Sequence, residues 1–549
     1  MSRSIYLINP AADFPTYYGA EVYEGRGYQR AAFLADLVVP TLAAMVPEDF
    51  HVELCDEHLE DVNFDTPCEY VGITGKVSQW GRAQALADEF RRRGKTVLIG
   101  GPFASLCPEV VRPHCDVLVQ NEIEEIKDEL FSDLRHREFK EEYIGGRPDL
   151  ELTPVPRWDL YRKYNHRVLT ATVQTARGCP FECEFCDVIQ YVGRKQRHKP
   201  IDAIVQELQT VYDNGYRSVL LADDNTTANK RWVKEMLEQV RVWNHQDGKR
   251  RISFSTQISI DAAMDDELLA LASAAGMTHV FIGIETPNEE SLELTQKRQN
   301  LPQHLRNPDQ ENPTLVDQVH RFYAHGIGVT GGMICGFDAD GPDIFERQFE
   351  FAMAALAPVY TLSALAAPHA TPLNARLADE GRLVSGYEVP GHPWNSNIVP
   401  ERLSKEQLTE GIRWLANQLY HPENFGERIL GYIEKLKFSD QEQARSTADR
   451  KDIRSVDKDT LALISDIPRL DEASGKMWKR IMGELPRNPG ATVPILEAMI
   501  RYQQLRYMYE HGQFWDPVTE HPGAPTFRPT AAGAAGASDG GTSAGLEAG

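Results

Sequence analysis

The chain has 549 residues, of which 42% are hydrophobic and 25% charged, an ordinary balance for a globular protein. With 58 Lys and Arg against 81 Asp and Glu, its formal net charge is −23, which disfavours a nucleic-acid partner because such binding needs a basic footprint. No apolar run reaches the roughly eighteen residues of a transmembrane helix, and eight cysteines over this length do not make a disulfide framework, so a reducing cytoplasm is expected.

The length suggests about three or four domains of roughly 150 residues. The N-terminus, Met1-Ser2-Arg3-Ser4-Ile5-Tyr6-Leu7-Ile8-Asn9-Pro10, reads as a short strand, not a signal peptide. Residues 1–145 alternate strand and helix signals, with strands expected at 5–9, 52–55, 70–75, 97–100 and 117–120. Between them, residues 81–93 carry Ala83, Leu86, Ala87 and Phe90 at helical spacing. Short apolar strands alternating with helices predict a parallel, doubly wound sheet of Rossmann-like type. No G-x-G-x-x-G follows the first strand, which argues against a dinucleotide site. Gly100-Gly101 closes the fourth strand, where the backbone must turn tightly or approach something closely. Cys55, Cys68, Cys107 and Cys115 are scattered and read as small core or surface residues.

After a linker at 146–164, a second alternating series runs over 165–375. Its strands are expected at 168–175, 218–224, 252–258, 279–285, 328–336 and 359–366, with helices such as 201–212 and 230–243 between them. Six such units predict a partial (β/α)6 barrel, whose chemistry belongs at the C-terminal strand ends. The loop after its first strand reads Arg177-Gly178-Cys179-Pro180-Phe181-Glu182-Cys183-Glu184-Phe185-Cys186. A C-x3-C-x2-C loop suits zinc or iron–sulfur. Structural zinc takes four protein ligands and ferredoxin clusters take four cysteines, yet no fourth cysteine follows within the next hundred residues. Three thiolates on a cubane leave one iron open. The plainer alternatives are three structural cysteines, or zinc completed by a distant residue such as His198.

Residues 376–525 read as helical. Ser404-Lys405-Glu406-Gln407 forms a capping box, and Leu408, Ile412, Leu415 and Leu419 follow on one face. Ile495, Met499, Tyr502 and Tyr509 make a later stripe, and both stripes read as core. Residues 526–549, rich in Ala, Gly and Ser, are expected to be disordered.

The cysteine loop resembles the signature of the radical S-adenosylmethionine (SAM) enzymes, whose open iron chelates SAM. Gly193-Arg194-Lys195, Asp223-Asp224-Asn225, Gly283-Ile284-Glu285-Thr286-Pro287, Gly336-Phe337-Asp338 and Thr371-Pro372-Leu373 support that resemblance. The stretches Tyr70-Val71-Gly72-Ile73-Thr74-Gly75-Lys76-Val77-Ser78 and Val97-Leu98-Ile99-Gly100-Gly101-Pro102 resemble strands of cobalamin-binding domains. Asn121-Glu122-Ile123-Glu124 stands where that family commonly shows Gly-Glu-x-Glu. As a whole, residues 1 to about 525 resemble the cobalamin-binding radical SAM proteins, in the branch of hopanoid C-2 methylases and natural-product C-methylases. One departure is Thr226-Thr227-Ala228-Asn229, where relatives often carry an aromatic.

The resemblance implies a 4Fe-4S cluster on Cys179, Cys183 and Cys186, together with SAM and cobalamin. SAM contacts fall to Phe185, Asp223, Asp224, Thr256, Gln257, Glu285, Gly332 and Gly336. Cobalamin contacts fall to Thr74, Ser78, Gly100, Gly101 and Glu122. Asp56-Glu57-His58 looks like the start of a D-x-H-x-x-G motif but follows the wrong strand and has Asp61 in place of the glycine. His58 is therefore expected at the surface, and cobalamin without a His ligand. Cys335 reads as a small buried residue, and Tyr17, Tyr18 and Tyr23 as lining the cobalamin or substrate face. The implied reaction methylates an unactivated carbon of a small molecule or lipid, one SAM giving the methyl group through cobalamin and a second giving the 5′-deoxyadenosyl radical. The electron donor would be a flavodoxin or ferredoxin. The rivals are a radical rearrangement or cyclisation without methyl transfer, a non-enzymatic cobalamin or iron–sulfur sensor, and a tRNA methylthiotransferase, which the acidic charge and the lack of a second cysteine cluster oppose.

Overall fold

The computed structural model describes residues 3–246, 251–301, 313–384, 392–438 and 454–516; the expected tail at 526–549 lies outside them. Fifteen strands follow in chain order: β1 (Arg3–Asn9), β2 (Ala32–Leu34), β3 (Phe50–Asp56), β4 (Tyr70–Thr74), β5 (Thr96–Gly100), β6 (Val117–Gln120), β7 (Glu142–Ile144), β8 (Val168–Val173), β9 (Ala176–Arg177), β10 (Arg197–His198), β11 (Ser218–Leu221), β12 (Ser253–Ile258), β13 (Met277–Glu285), β14 (Gly328–Cys335) and β15 (Val359–Ala364).

Six of them form a parallel sheet in the order β3-β1-β4-β5-β6-β7. The short apolar runs Ile5–Ile8 and Val97–Ile99 are buried, as strands covered on both faces must be. The helix Trp80–Arg92 buries Ala83, Leu86, Ala87 and Phe90 against it, the stripe its spacing predicts. Cys55, Cys68 and Cys107 are buried in this unit, and Cys115 is half-buried.

Seven strands form a second parallel sheet in the order β15-β14-β13-β12-β11-β8-β2, open at β15 and β2. Six are those expected from the sequence. The seventh, β2, comes from the N-terminal part of the chain and pairs with β8 through Ala32 and Val168. Residues 1–145 thus supply strands to both sheets. In this half-barrel Val280, Ile282 and Ile284 of β13 pack outward into the core. The alternate residues His279, Phe281 and Gly283 therefore face the concave side, which we call the lumen.

The open side is closed by two other segments. Tyr17, in the loop after β1, hydrogen-bonds through its hydroxyl with both the backbone N–H and C=O of Leu362 on the edge strand β15, and with the Tyr509 hydroxyl at 3.0 Å. Tyr509 lies on the helix Thr492–His511, whose Ile495, Met499 and Tyr502 are also buried, as their stripe implies. The capping box is present: the Gln407 N–H donates to Ser404 Oγ at 3.1 Å and the Ser404 N–H to Gln407 Oε1 at 2.8 Å. Leu408, Ile412, Leu415 and Leu419 on its helix are core. Among the described residues, no helix is long and apolar enough to cross a membrane.

Candidate active site

The cysteine loop leaves β8 at the C-terminal edge of the half-barrel. A short antiparallel pairing of β9 with β10 closes its base. Gly178 has φ of +100°, and a Cβ there would stand 2.5 Å from the Lys195 carbonyl oxygen, so only glycine fits before Cys179. Cys183 is buried, while Cys179 and Cys186 are half-buried. Side-chain amides point at two of the sulfurs: Gln299 Nε2 lies 3.5 Å from Cys183 Sγ, and Asn225 Nδ2 lies 4.0 Å from Cys179 Sγ. Burial raises the Cys179 thiol and pushes Cys186 up to about 12, so these thiols need a bound cation to become thiolates. A cubane takes each thiolate on a different iron. His198, the distant candidate for zinc, packs at a tilt on Trp232 with ring centres 4.1 Å apart and bonds Gln196 instead. The donor set fits a cluster with one iron free of protein.

The two adjacent aspartates after β11 divide their work. Asp223 accepts from the Thr175 N–H at 2.7 Å, the Ala176 N–H at 2.9 Å, the Thr226 hydroxyl at 3.2 Å and the Thr175 hydroxyl. Those bonds use all four of its acceptor sites. Expected on SAM, Asp223 is instead the staple that fixes the stem of the cysteine loop. Among the described residues Asp224 accepts only the Gly178 N–H, at 2.7 Å, and it borders the cavity described below; burial lifts its carboxyl to about 6. Thr256 and Gln257 face opposite sides of β12. Thr256 is buried outward, with its hydroxyl on the Leu221 carbonyl at 2.9 Å, so it does not face the lumen as expected; Gln257 does, in register with Phe281.

Glu285 ends β13 in a left-handed conformation, φ +64°, and pairs with Lys297 at 2.6 Å, both nearly buried. Lys297 Nζ also lies 5.9 Å from the Phe185 ring centre. Burial works against the Lys297 charge, but Glu285 and then the Cys183 side chain outweigh it, and the net effect holds the ammonium. Phe185 packs on Phe337 with ring centres 5.8 Å apart. At Gly332 a Cβ would stand 3.0 Å from Phe281 Cζ. The Gly336 N–H bonds the buried Asp340 at 3.0 Å in the turn after β14. Cys335 is fully buried, as expected.

The phrase Thr371-Pro372-Leu373 gains a physical reason: Thr371 caps the helix Pro372–Asp379, the Leu373 N–H bonds the Glu184 carbonyl at 3.1 Å, and Arg376 clamps the Glu184 carboxylate at 2.6 Å. A second helix thereby holds the cysteine loop from the far side. Lys297, Gln299 and Asn225 were not among the sequence candidates. Only Asn225 had a signal, its place beside the two aspartates.

Across from the cysteine loop, the C-terminal ends of β1, β3, β4, β5 and β6 border a cavity of about 630 Å³ whose opposite wall includes Thr172, Gln174, Arg177 and Asp224 of the half-barrel. All five of the expected cobalamin residues, Thr74, Ser78, Gly100, Gly101 and Glu122, line it. Gly101 has φ of +96°, and a Cβ would stand 2.7 Å from Thr74 Oγ1, so the close approach expected of this turn is internal. Asn121 takes φ +60°, a left-handed conformation that glycine or asparagine tolerates, which accounts for the departure from Gly-Glu-x-Glu. The Glu122 side chain is committed elsewhere than expected: it accepts from Arg177 and Arg197, each at 2.5 Å. Tyr18 lines the cavity; Tyr17 and Tyr23 do not, Tyr23 bonding Thr460 instead. His58, expected at the surface, is half-buried and lines the cavity, its Nδ1 3.0 Å from the buried Asp56. The reason is topological, since β3, the strand that His58 follows, lies beside β1 and its end opens on the same space.

Comparison with known proteins agrees with this geometry. The Radical SAM superfamily profile matches residues 173–345, and that of a domain of unknown function, DUF4070, matches residues 371–513. An uncharacterized methyltransferase of Synechocystis, sll1242, is 34% identical over 435 residues, 77% of each chain. The hopanoid C-2 methylase of Rhodopseudomonas palustris is 28% identical over 64% of this chain and 66% of its own. Among solved structures, the cobalamin-dependent SAM radical enzyme OxsB shares the fold with a TM-score of 0.59 at 14% identity, over 93% of this chain and 80% of that one.

Proposed function

The chain belongs to the radical SAM superfamily, and from that footing we propose that it is a cobalamin-dependent radical SAM C-methyltransferase acting on an unactivated carbon of a small molecule or lipid. One observation carries the reading: Arg177 and Asp224, at the base of the three-cysteine loop, line the same cavity as the C-terminal strand ends of a second parallel sheet. Ligands of parallel sheets bind at those ends.

Cys179, Cys183 and Cys186 would hold a 4Fe-4S cluster and the cavity would hold cobalamin, and with SAM these groups would supply a carbon radical and a methyl group. The chain's own residues hold and shield. Gly178 and Asp223 fix the loop, and Gln299 and Asn225 donate toward the sulfurs. Asp224, with acceptor sites to spare, suits the SAM amino group or ribose, and Gln257 suits its carboxylate or ribose from the lumen side. Glu285 is the less suited of the expected contacts because Lys297 neutralises it. Thr74, Ser78 and the Gly100-Gly101 turn suit the cobalamin tail. Arg177 and Arg197, clamped by Glu122, keep the two sheets in register so that the groups they hold meet.

The test is anaerobic turnover with reconstituted enzyme, reductant, SAM labelled in its methyl group and substrates drawn from neighbouring biosynthetic steps. Methylation predicts a labelled product, with one 5′-deoxyadenosine and one S-adenosylhomocysteine for each product. An unlabelled product formed with 5′-deoxyadenosine alone selects the rearrangement instead, and absence of SAM cleavage selects the sensor.

A further inference from the structure

Alternation places Ser255 and Gln257 of β12 and His279 and Phe281 of β13 on the lumen side. None is acidic. One cation enters from outside the sheet. Arg501, on the closing helix Thr492–His511, has its guanidinium carbon 4.3 Å from the Phe33 ring centre and 5.2 Å from that of Tyr18. Tyr18 meets Phe281 edge-on, with ring centres 6.3 Å apart, and with Phe33 it forms part of the wall of the large cavity. The guanidinium therefore lies against two rings of the cavity wall, one of which, Tyr18, also meets the lumen residue Phe281.

It has no anion there. Nη1 is buried without a hydrogen-bond partner, and no carboxylate among the described residues forms an ion pair with the side chain. Glu497, one turn earlier on the helix, is exposed and acts on it through its charge. Three other cations of the site are committed, Lys297 on Glu285, Arg197 on Glu122, and Arg177 on Glu122 and Glu124, while Lys76 lies on the opposite, first-sheet wall of the cavity. A half-buried arginine with one enclosed nitrogen is ordinarily paired, because a partly desolvated charge without a partner costs stability. Its flat face is held by rings, which leaves the N–H edges for an acceptor. One positive charge balances a monoanion, and the guanidinium fork matches a carboxylate.

We propose that Arg501 recognises a carboxylate carried by the substrate, the rest of which lies on Tyr18, Phe33 and Phe281. The substrate class is then a largely apolar or aromatic acid. This rests on the methyltransferase reading only in placing the substrate at these rings, and its test needs no turnover.

The experiment uses the full chain, purified anaerobically, and the variants Arg501→Met and Arg501→Lys. The probes are 2-naphthoate and its neutral isostere 2-naphthamide, with binding read by titration. Wild type is expected to bind the acid at least about tenfold more tightly than the amide, the worth of a charge-assisted hydrogen bond. Arg501→Met should bind the two equally, and Arg501→Lys should keep part of the preference. Without ligand, Arg501→Met should melt at the same temperature as wild type or higher, since an unpaired charge has been removed, whereas a purely structural cation–π role predicts a lower melting temperature. Equal binding of acid and amide by wild type, or an acid preference that survives in Arg501→Met, overturns the proposal. Methyl transfer to a substrate with no acidic group would overturn it while leaving the methyltransferase reading intact.

Discussion

Arg177 donates to Glu122 across the junction of the two sheets, two residues before the first cysteine of the loop. Arg177 also reaches Glu124 at 2.7 Å, and Arg197 secures Glu122 from the paired strand β10. Glu122 and Arg177 are 10% and 13% exposed, so water screens the cluster little. Removing one member leaves buried charge behind, which costs about 3–5 kcal/mol. Glu122→Gln is therefore expected to lower the unfolding free energy by about 3 kcal/mol in urea titration. A change within error would mean that the clamp is solvated and does not hold the sheets.

Iron retention separates the cysteines. Replacing any of Cys179, Cys183 or Cys186 by Ala removes a thiolate anchor, so iron and sulfide bound after reconstitution should fall sharply and SAM cleavage should be lost. Cys68→Ala and Cys107→Ala enlarge small buried sites in the first sheet and should keep full iron loading. Equal iron loss in all five variants would refute the assignment of the cluster loop.

Much of this was legible in the sequence, for reasons that also mark where legibility ends. The six half-barrel strands are apolar runs separated by helices, and periodicity finds those. It does not find β2 or β7, three residues each, which exist because longer strands offer them an edge. Along β12 the alternation says that Thr256 and Gln257 face opposite ways, but which side is concave is a property of the closed sheet. Asp223 and Asp224 are the same residue type one position apart, and only the hydrogen bonds reveal that Asp223 has no acceptor site left. Lys297 and Arg501 carried no signal, since each reaches the site from an element that periodicity marks as ordinary helix or loop.

The two aspartates make a sharper test. Asp223→Asn turns an acceptor oxygen into a donor against buried N–H and O–H groups, and each orphaned donor costs about 1–3 kcal/mol. A stability loss of about 3 kcal/mol is expected, with poor cluster retention. Asp224→Asn keeps an oxygen for the Gly178 N–H, so its stability should change by less than about 1 kcal/mol, while SAM affinity falls about tenfold. Should Asp224→Asn bind SAM as wild type does, Asp224 is a loop support and not a SAM contact.

His279 gives the lumen a pH signature. Burial, and then the charge of Arg501, push its imidazole down from the ordinary 6.5 to about 4, while Nε2 lies 2.7 Å from the Thr330 hydroxyl. Tyr432 also stands near, its hydroxyl meeting the space beside Gly328 that His279 Nδ1 shares. The folded state keeps the ring neutral where the unfolded chain would protonate it. Unfolded protein therefore binds the extra proton between about pH 6.5 and pH 4. Stability is intact above that window and falls as the pH drops through it, by at most about 3 kcal/mol after allowing for partial solvent access. Urea midpoints at about pH 7.5 and pH 5 should differ in wild type, and the difference should shrink in His279→Gln, which has no proton to gain. Arg501→Met should also reduce it, because the second cause of the shift is gone. If the midpoint difference is the same in all three proteins, the acid sensitivity lies elsewhere, and the imidazole is neither enclosed nor under the influence of Arg501.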